Sequence, residues 1–125
     1  MRLLFDTHIF YWSLYERGRL SSRTLEVIHG AEAIFISSAS VWEIAIKVRL
    51  GKIKADLLQL TEHIEASGFQ ELPVFSRHAV LVADLPLFHT DPFDRLLIAQ
   101  AISEPLHFLT ADAHLKQYSE LVIQV

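Results

Sequence analysis

The chain has 125 residues, 51% hydrophobic and 21% charged, a balance that excludes a disordered polyelectrolyte and fits one compact domain over residues 1–125. A net charge of −4 argues against a generic nucleic-acid coat, which carries a strong basic excess, while leaving room for a local basic patch. The absence of cysteine removes disulfides, thiol nucleophiles and cysteine-based metal sites, and no apolar run reaches the ~18 residues of a membrane span. With an acid already at position 6 and no signal-like apolar segment, a cytoplasmic location is expected.

Arg2–Phe5 is a short apolar run ending in Asp6-Thr7, which reads as a buried strand followed at once by a helix to about Arg17. Gly18 breaks that helix, and Ser21-Ser22 caps a second one running to about His29. Ala33–Ile36 is the next strand. Ser37–Ser40 offers several caps for a helix carrying Val41–Lys47 and closing near Gly51. Ala55–Ser67 is amphipathic through Leu57, Leu58, Leu60 and Ile64, with Gly68 as its stop. Gln70–Val74 is a short strand that Pro73 ends or places at an edge. Ser76 caps a helix to about Ala83, and Asp84–Thr90 is a loop. Asp91 and Pro92 then start a helix to Ser103, as cap and first helical residue. His107–Thr110 is a strand, Asp112–Tyr118 a short helix and Leu121–Val125 a last strand. Strands that alternate with helices and are continuously apolar indicate an α/β domain, a mainly parallel sheet of four to five strands between two helical layers.

In such a sheet the carboxyl ends of the strands and the helix N-termini share one edge, where ligands bind. Asp6 ends the first strand, Glu43 lies one turn into the helix after the second, Asp91 and Asp94 open the helix before the fourth, and Asp112 follows that strand. Each has an ordinary explanation. Asp6, Asp91 and Asp112 fit helix caps, Ser40-x-x-Glu43 fits a capping box, and Glu43–Lys47 fits an i,i+4 ion pair. Asp94 is harder to explain so, because at about 100° per residue it falls inside the apolar arc of Leu97, Ile98, Ala101 and Ile102. Like charges converging on one rim repel, and a divalent cation resolves that conflict. Mg2+ and Mn2+ take carboxylate oxygens, and the chemistry that follows is phosphodiester hydrolysis.

The segments Leu4-Phe5-Asp6-Thr7-His8, Ser40–Lys47, Asp91-Pro92-Phe93-Asp94-Arg95-Leu96-Leu97-Ile98-Ala99-Gln100-Ala101 and Leu109-Thr110-Ala111-Asp112 resemble the PIN domain, and more narrowly the VapC-type toxins of bacterial toxin–antitoxin pairs. The resemblance spans the chain and keeps the family's order. It implies a three-layer α/β/α fold and a Mg2+- or Mn2+-dependent endoribonuclease with Asp6, Glu43, Asp94 and Asp112 as catalytic metal ligands. It also implies an RNA substrate, a cognate antitoxin and a homodimer. Asp91 is an additional acid, either cap or ligand. Thr110 stands where the family often has a small polar residue near the metal.

Lys47, Arg49, Lys52 and Lys54 read either as a solvated helix end or as a flank for RNA backbone, and Lys47 and Arg95, with Thr110, are the candidate substrate contacts. No two of the seven histidines have H-x-x-x-H spacing, but His8 and His89 lie near the acids. Phe10-Tyr11-Trp12 with Leu14 exceeds one buried face, leaving core or a dimer or antitoxin surface as readings. Two other function classes compete with the nuclease. A non-catalytic PIN-like interaction module predicts no cation at the rim. An aspartyl-phosphate enzyme or receiver wants a second acid near Asp6, whereas position 8 is His and the late strand ends in Thr110. The four glycines build no phosphate loop.

Overall fold

The computed structural model describes all 125 residues and has three layers, helices on both faces of a five-stranded sheet. In chain order the elements are β1 (Arg2–Phe5), α1 (Thr7–Tyr15), α2 (Ser22–His29), β2 (Ala33–Ser37), α3 (Ser38–Arg49), α4 (Leu57–Ala66), β3 (Gln70–Leu72), α5 (Ser76–Val82), α6 (Pro92–Ser103), β4 (His107–Thr110) and β5 (Val122–Gln124). Short 3-10 turns cover Arg17–Arg19 and Ala113–Tyr118. All strand pairs are parallel, in the order β3-β2-β1-β4-β5. No helix is long and apolar enough to cross a membrane.

The apolar strands feed two cores because successive side chains leave opposite faces of a sheet. Leu3, Phe5 and Leu109 join Ile9, Phe10, Ile44 and Leu60 on one face. Leu4 and Phe108 join Leu97, Ile98, Ala101 and Leu115 on the other. With both faces covered, no polar alternation is needed, which is why these strands read as unbroken apolar runs.

Several boundaries differ from the sequence reading for local reasons. The first helix stops at Tyr15, and Arg17–Arg19 tightens into a 3-10 turn before Gly18's neighbours reach α2. The helix bearing Glu43 begins at Ser38, capped by the Ser37 hydroxyl on the Ala39 N–H. Ser40 is therefore inside α3 and forms no capping box; its hydroxyl instead meets that of Thr7 at 2.9 Å, binding α3 to the start of α1. Gly51 closes α3 with φ of 73°, so that the Gly51 and Lys52 N–H groups reach the Val48 and Lys47 carbonyls. The fourth helix is capped by Asp56 rather than starting at Ala55, and β3 ends before Pro73. Phe75, not Ser76, occupies the cap of α5, and its N–H is taken by the buried His78 Nδ1.

Candidate active site

The strand order reverses beside β1, where the connections leave for β2 on one side and return to β4 on the other. Crevices at the carboxyl ends of strands form at such reversals. Asp6 and Thr110 stand at this point, held together by the ladder itself, since the Asp6 N–H donates to the Leu109 carbonyl at 2.9 Å.

Asp6 occupies the cap position of α1 with extended backbone, yet its side chain caps nothing. The carboxylate is only 3% exposed. Its Oδ2 accepts the Thr110 hydroxyl at 2.6 Å, and its Oδ1 is buried without a partner. Burial pushes this carboxyl above the usual range against the pull of Thr110 and His8, and the charge of Glu43 adds to the rise. Glu43 is 6% exposed and divided in the same way. Lys47 Nζ lies 3.0 Å from its Oε2, while Oε1 is buried and unpartnered. Buried acceptors rarely go unpaired, so two orphaned carboxylate oxygens at one rim are a specific observation.

Asp94 lies in the first turn of α6, and its Oδ2 is 3.0 Å from His89 Nε2. Its carboxyl is pushed up to about 7, first by burial, then by the charges of Asp6 and Asp91, with the His89 hydrogen bond opposing. Asp112 behaves differently. Burial would raise it, but the His114 backbone N–H, imidazole and charge together hold it below the usual value. Its Oδ1 accepts from His114 N at 2.9 Å and lies 3.1 Å from His114 Nδ1.

Asp6, Glu43 and Asp94 thus sense one another electrostatically, but the most compact ligand group is a different one. Single donor atoms of His89, Asp94 and Asp112 lie within 4.8 Å of one another, with the more buried Asp6 and Glu43 outside that set. A depression of about 250 Å3 lined by Asp6, His8, Trp12, Ala111 and Asp112 opens beside them.

Asp91 is a helix cap, its Oδ1 accepting from Phe93 N at 2.8 Å and Asp94 N at 3.3 Å. Two residues expected to contact substrate, Thr110 and Arg95, are buried and hydrogen-bonded within the protein. Thr110 is fully buried, and its hydroxyl donates to Asp6 while accepting the Asp112 N–H, which ties the two acid-bearing segments together. Arg95 is buried, and its guanidinium donates to the carbonyls of Val82, Leu85 and Pro86 and to the Tyr118 hydroxyl. Lys47 is half-buried and paired with Glu43, while Arg49, Lys52 and Lys54 are exposed. Of the first-helix aromatics, Phe10 is core, Tyr11 donates to the Lys54 carbonyl, and Trp12 packs against His8 and Arg19. Trp42, which has no role in the sequence pattern beyond its place in the Ser40–Lys47 segment, is 61% exposed and packs edge-on against Phe93 with ring centroids 5.1 Å apart. An aromatic next to each of two candidate acids, at Trp42-Glu43 and Phe93-Asp94, was the available signal.

The sequence pattern of the PIN domain matches residues 3–121, so this chain belongs to the PIN domain family. Ribonuclease VapC22 of Mycobacterium tuberculosis is 30% identical over 122 residues, covering 93% of this chain and 91% of that protein. Among solved structures, VapBC2 from Rickettsia felis bound to a promoter DNA fragment superposes with a TM-score of 0.72 at 17% identity, over 100% of this chain and 98% of that one. A toxin–antitoxin complex from Klebsiella pneumoniae gives 0.68 at 14% identity, over 98% and 96%.

Proposed function

We propose that this chain is the ribonuclease toxin of a toxin–antitoxin pair, a Mg2+- or Mn2+-dependent endoribonuclease whose cation is held by Asp6, Glu43, Asp94 and Asp112. The observation that carries the reading is the pair of buried, unpartnered oxygens, Asp6 Oδ1 and Glu43 Oε1, beside two further carboxylates. A hard divalent ion is the group that satisfies such oxygens and relieves their mutual repulsion. The sequence relative is itself a ribonuclease, and the structural neighbours are toxin–antitoxin complexes.

A cation bound there would supply Lewis acidity, favouring ionisation of an attacking water and offsetting charge on the phosphate. The residues do the rest. Thr110 fixes Asp6 by one oxygen and leaves the other available. Lys47 does the same for Glu43 and balances part of the negative charge. Asp94, its carboxyl pushed up to about 7 by burial and its acidic neighbours, would be favoured as the carboxylate by a cation there. Lys47, Arg49, Lys52 and Lys54 give the RNA backbone a basic flank, and Trp42 with Phe93 gives a base a face to stack on. An antitoxin restrains the nuclease, which acts as a homodimer in the cytoplasm.

Asp6→Asn and Asp94→Asn are expected to abolish cleavage of a fluorescent RNA while leaving the circular-dichroism spectrum unchanged, and EDTA is expected to stop the wild type. Either variant cutting at the wild-type rate would remove the site assignment, and cleavage in excess EDTA would remove the metal.

A further inference from the structure

We propose that His89 is a ligand of the bound ion, so that the centre is a mixed nitrogen–oxygen site that takes Mn2+ in preference to Mg2+. The proposal rests on the reading that the acidic rim holds a divalent cation, and it adds a ligand and a choice of ion.

Three observations meet at His89. The first is proximity. Its imidazole belongs to the compact group with Asp94 and Asp112, their donor atoms within 4.8 Å of one another, close to the span that a single ion bridges. The second is what acts on Asp94 from outside the group: Asp6 and Glu43, more than nine-tenths buried, whose charges reach Asp94 and whose Oδ1 and Oε1 have no partners. A cation would satisfy those oxygens, and the imidazole, its Nε2 3.0 Å from Asp94 Oδ2, keeps 28% of its side chain exposed.

The third observation is the effort of structure that fixes His89. Its backbone is on the Asp84–Thr90 connection, a stretch with no helix or strand of its own. The Arg95 guanidinium draws in three carbonyls from that side, those of Val82, Leu85 and Pro86. The Tyr118 hydroxyl accepts from Arg95 and donates to the His89 carbonyl itself. Arg95 forms no ion pair, although a buried charge ordinarily takes one. Arg95 is the residue after Asp94, and Tyr118 ends the 3-10 turn that Asp112 caps. The elements that deliver the two carboxylates therefore also hold the histidine between them.

The chemistry selects the ion. Of the two ions, Mg2+ demands near-ideal octahedral oxygen coordination and retains its waters, whereas Mn2+, though also suited to carboxylates, belongs to the transition series whose sites admit nitrogen. The other nearby imidazoles are placed otherwise. His114 is exposed and pairs with Asp112 alone, outside the compact group, and His8 packs on Trp12.

The test is spectroscopic and independent of turnover. Metal-free protein loaded with one equivalent of Mn2+ is examined by electron spin-echo envelope modulation for coupling to 14N. Imidazole-nitrogen modulation is expected in the wild type, lost in H89N and H89Q, and kept in H8N and H114N. Calorimetry is expected to show Mn2+ binding weakened about tenfold or more in H89N, as when metal-site contacts are lost, with Mg2+ binding changed less. Thermal melts of the metal-free variants check that they fold. Tight Mn2+ binding without nitrogen modulation, or modulation that survives H89N and H89Q, overturns the His89 ligand and leaves the acidic site standing. Failure to bind Mn2+ at all overturns both.

Discussion

Asp94 shows most directly what this rim costs the metal-free protein. Its carboxyl rises from an ordinary 3.8 to about 7, chiefly because it is buried. Between those values the folded chain holds a proton that the unfolded chain has released, so this contribution is complete below about pH 4 and lost as pH rises through about 7. Discounted for the solvent that still reaches the carboxyl, the penalty at pH 8 is ~2 kcal/mol. Metal-free Asp94→Asn is therefore expected to be more stable than wild type at pH 8 by about that amount, with the gap closing towards pH 4. Urea denaturation at a series of pH values measures both. The sequence exposed part of this, because an acid inside an apolar helical arc is visible from spacing alone. It could not separate cap from site residue for Asp6 and Asp91. Both take cap positions, and only the side-chain hydrogen bonds distinguish them: Asp91 accepts two N–H groups and Asp6 none. The burial of Arg95 was equally hidden, since its partners are carbonyls from a loop and any residue supplies a carbonyl.

At the scale of elements, α6 is the piece on which the site depends. Asp91 caps it, Pro92 begins it, Asp94 faces the rim from its first turn, and Leu97, Ile98 and Ala101 pack it against the sheet. If Asp91 is only a cap, Asp91→Asn keeps stability and cleavage, because asparagine caps as well, and Asp91→Ala costs ~1 kcal/mol in urea. Loss of cleavage in the asparagine variant at unchanged stability would make Asp91 a ligand too. The helices were legible because caps and glycine stops are local signals, and α6 matches its expected Pro92–Ser103 span. Ser40 misled because a serine three residues before a glutamate fits a capping box whether or not a helix starts there; here Ser37 starts it. The Asp84–Thr90 connection reads as plain loop, yet Arg95 and Tyr118 hold it. Arg95→Lys keeps the charge but loses the planar fork. It is expected to speed amide exchange in residues 84–90 well above the rate elsewhere, a change that hydrogen-exchange mass spectrometry resolves.

At the scale of the whole molecule, the strand order decides where these elements meet. Apolar runs identify buried parallel strands but not their neighbours, so the placement of β1 between β2 and β4 was not readable from the chain. That placement brings Asp6 against Thr110 across 104 residues of sequence. The fold thus concentrates acids at the strand-order reversal and leaves two of their oxygens without partners. A rim so built should be weak when empty and strong when filled. Binding to the native state alone stabilises by ~2.7 kcal/mol at a hundred times the dissociation constant, roughly 10 °C in Tm for a domain of this size. Mn2+ is expected to raise the wild-type Tm at pH 8 by about that much, and EDTA to reverse it, in a differential scanning calorimeter. Asp94→Asn should give the opposite picture, melting above metal-free wild type and gaining little from Mn2+. The two proteins would then exchange rank when the ion is added. Two parallel curves, with the same Mn2+ gain in both, would mean that Asp94 destabilises the fold without holding the cation.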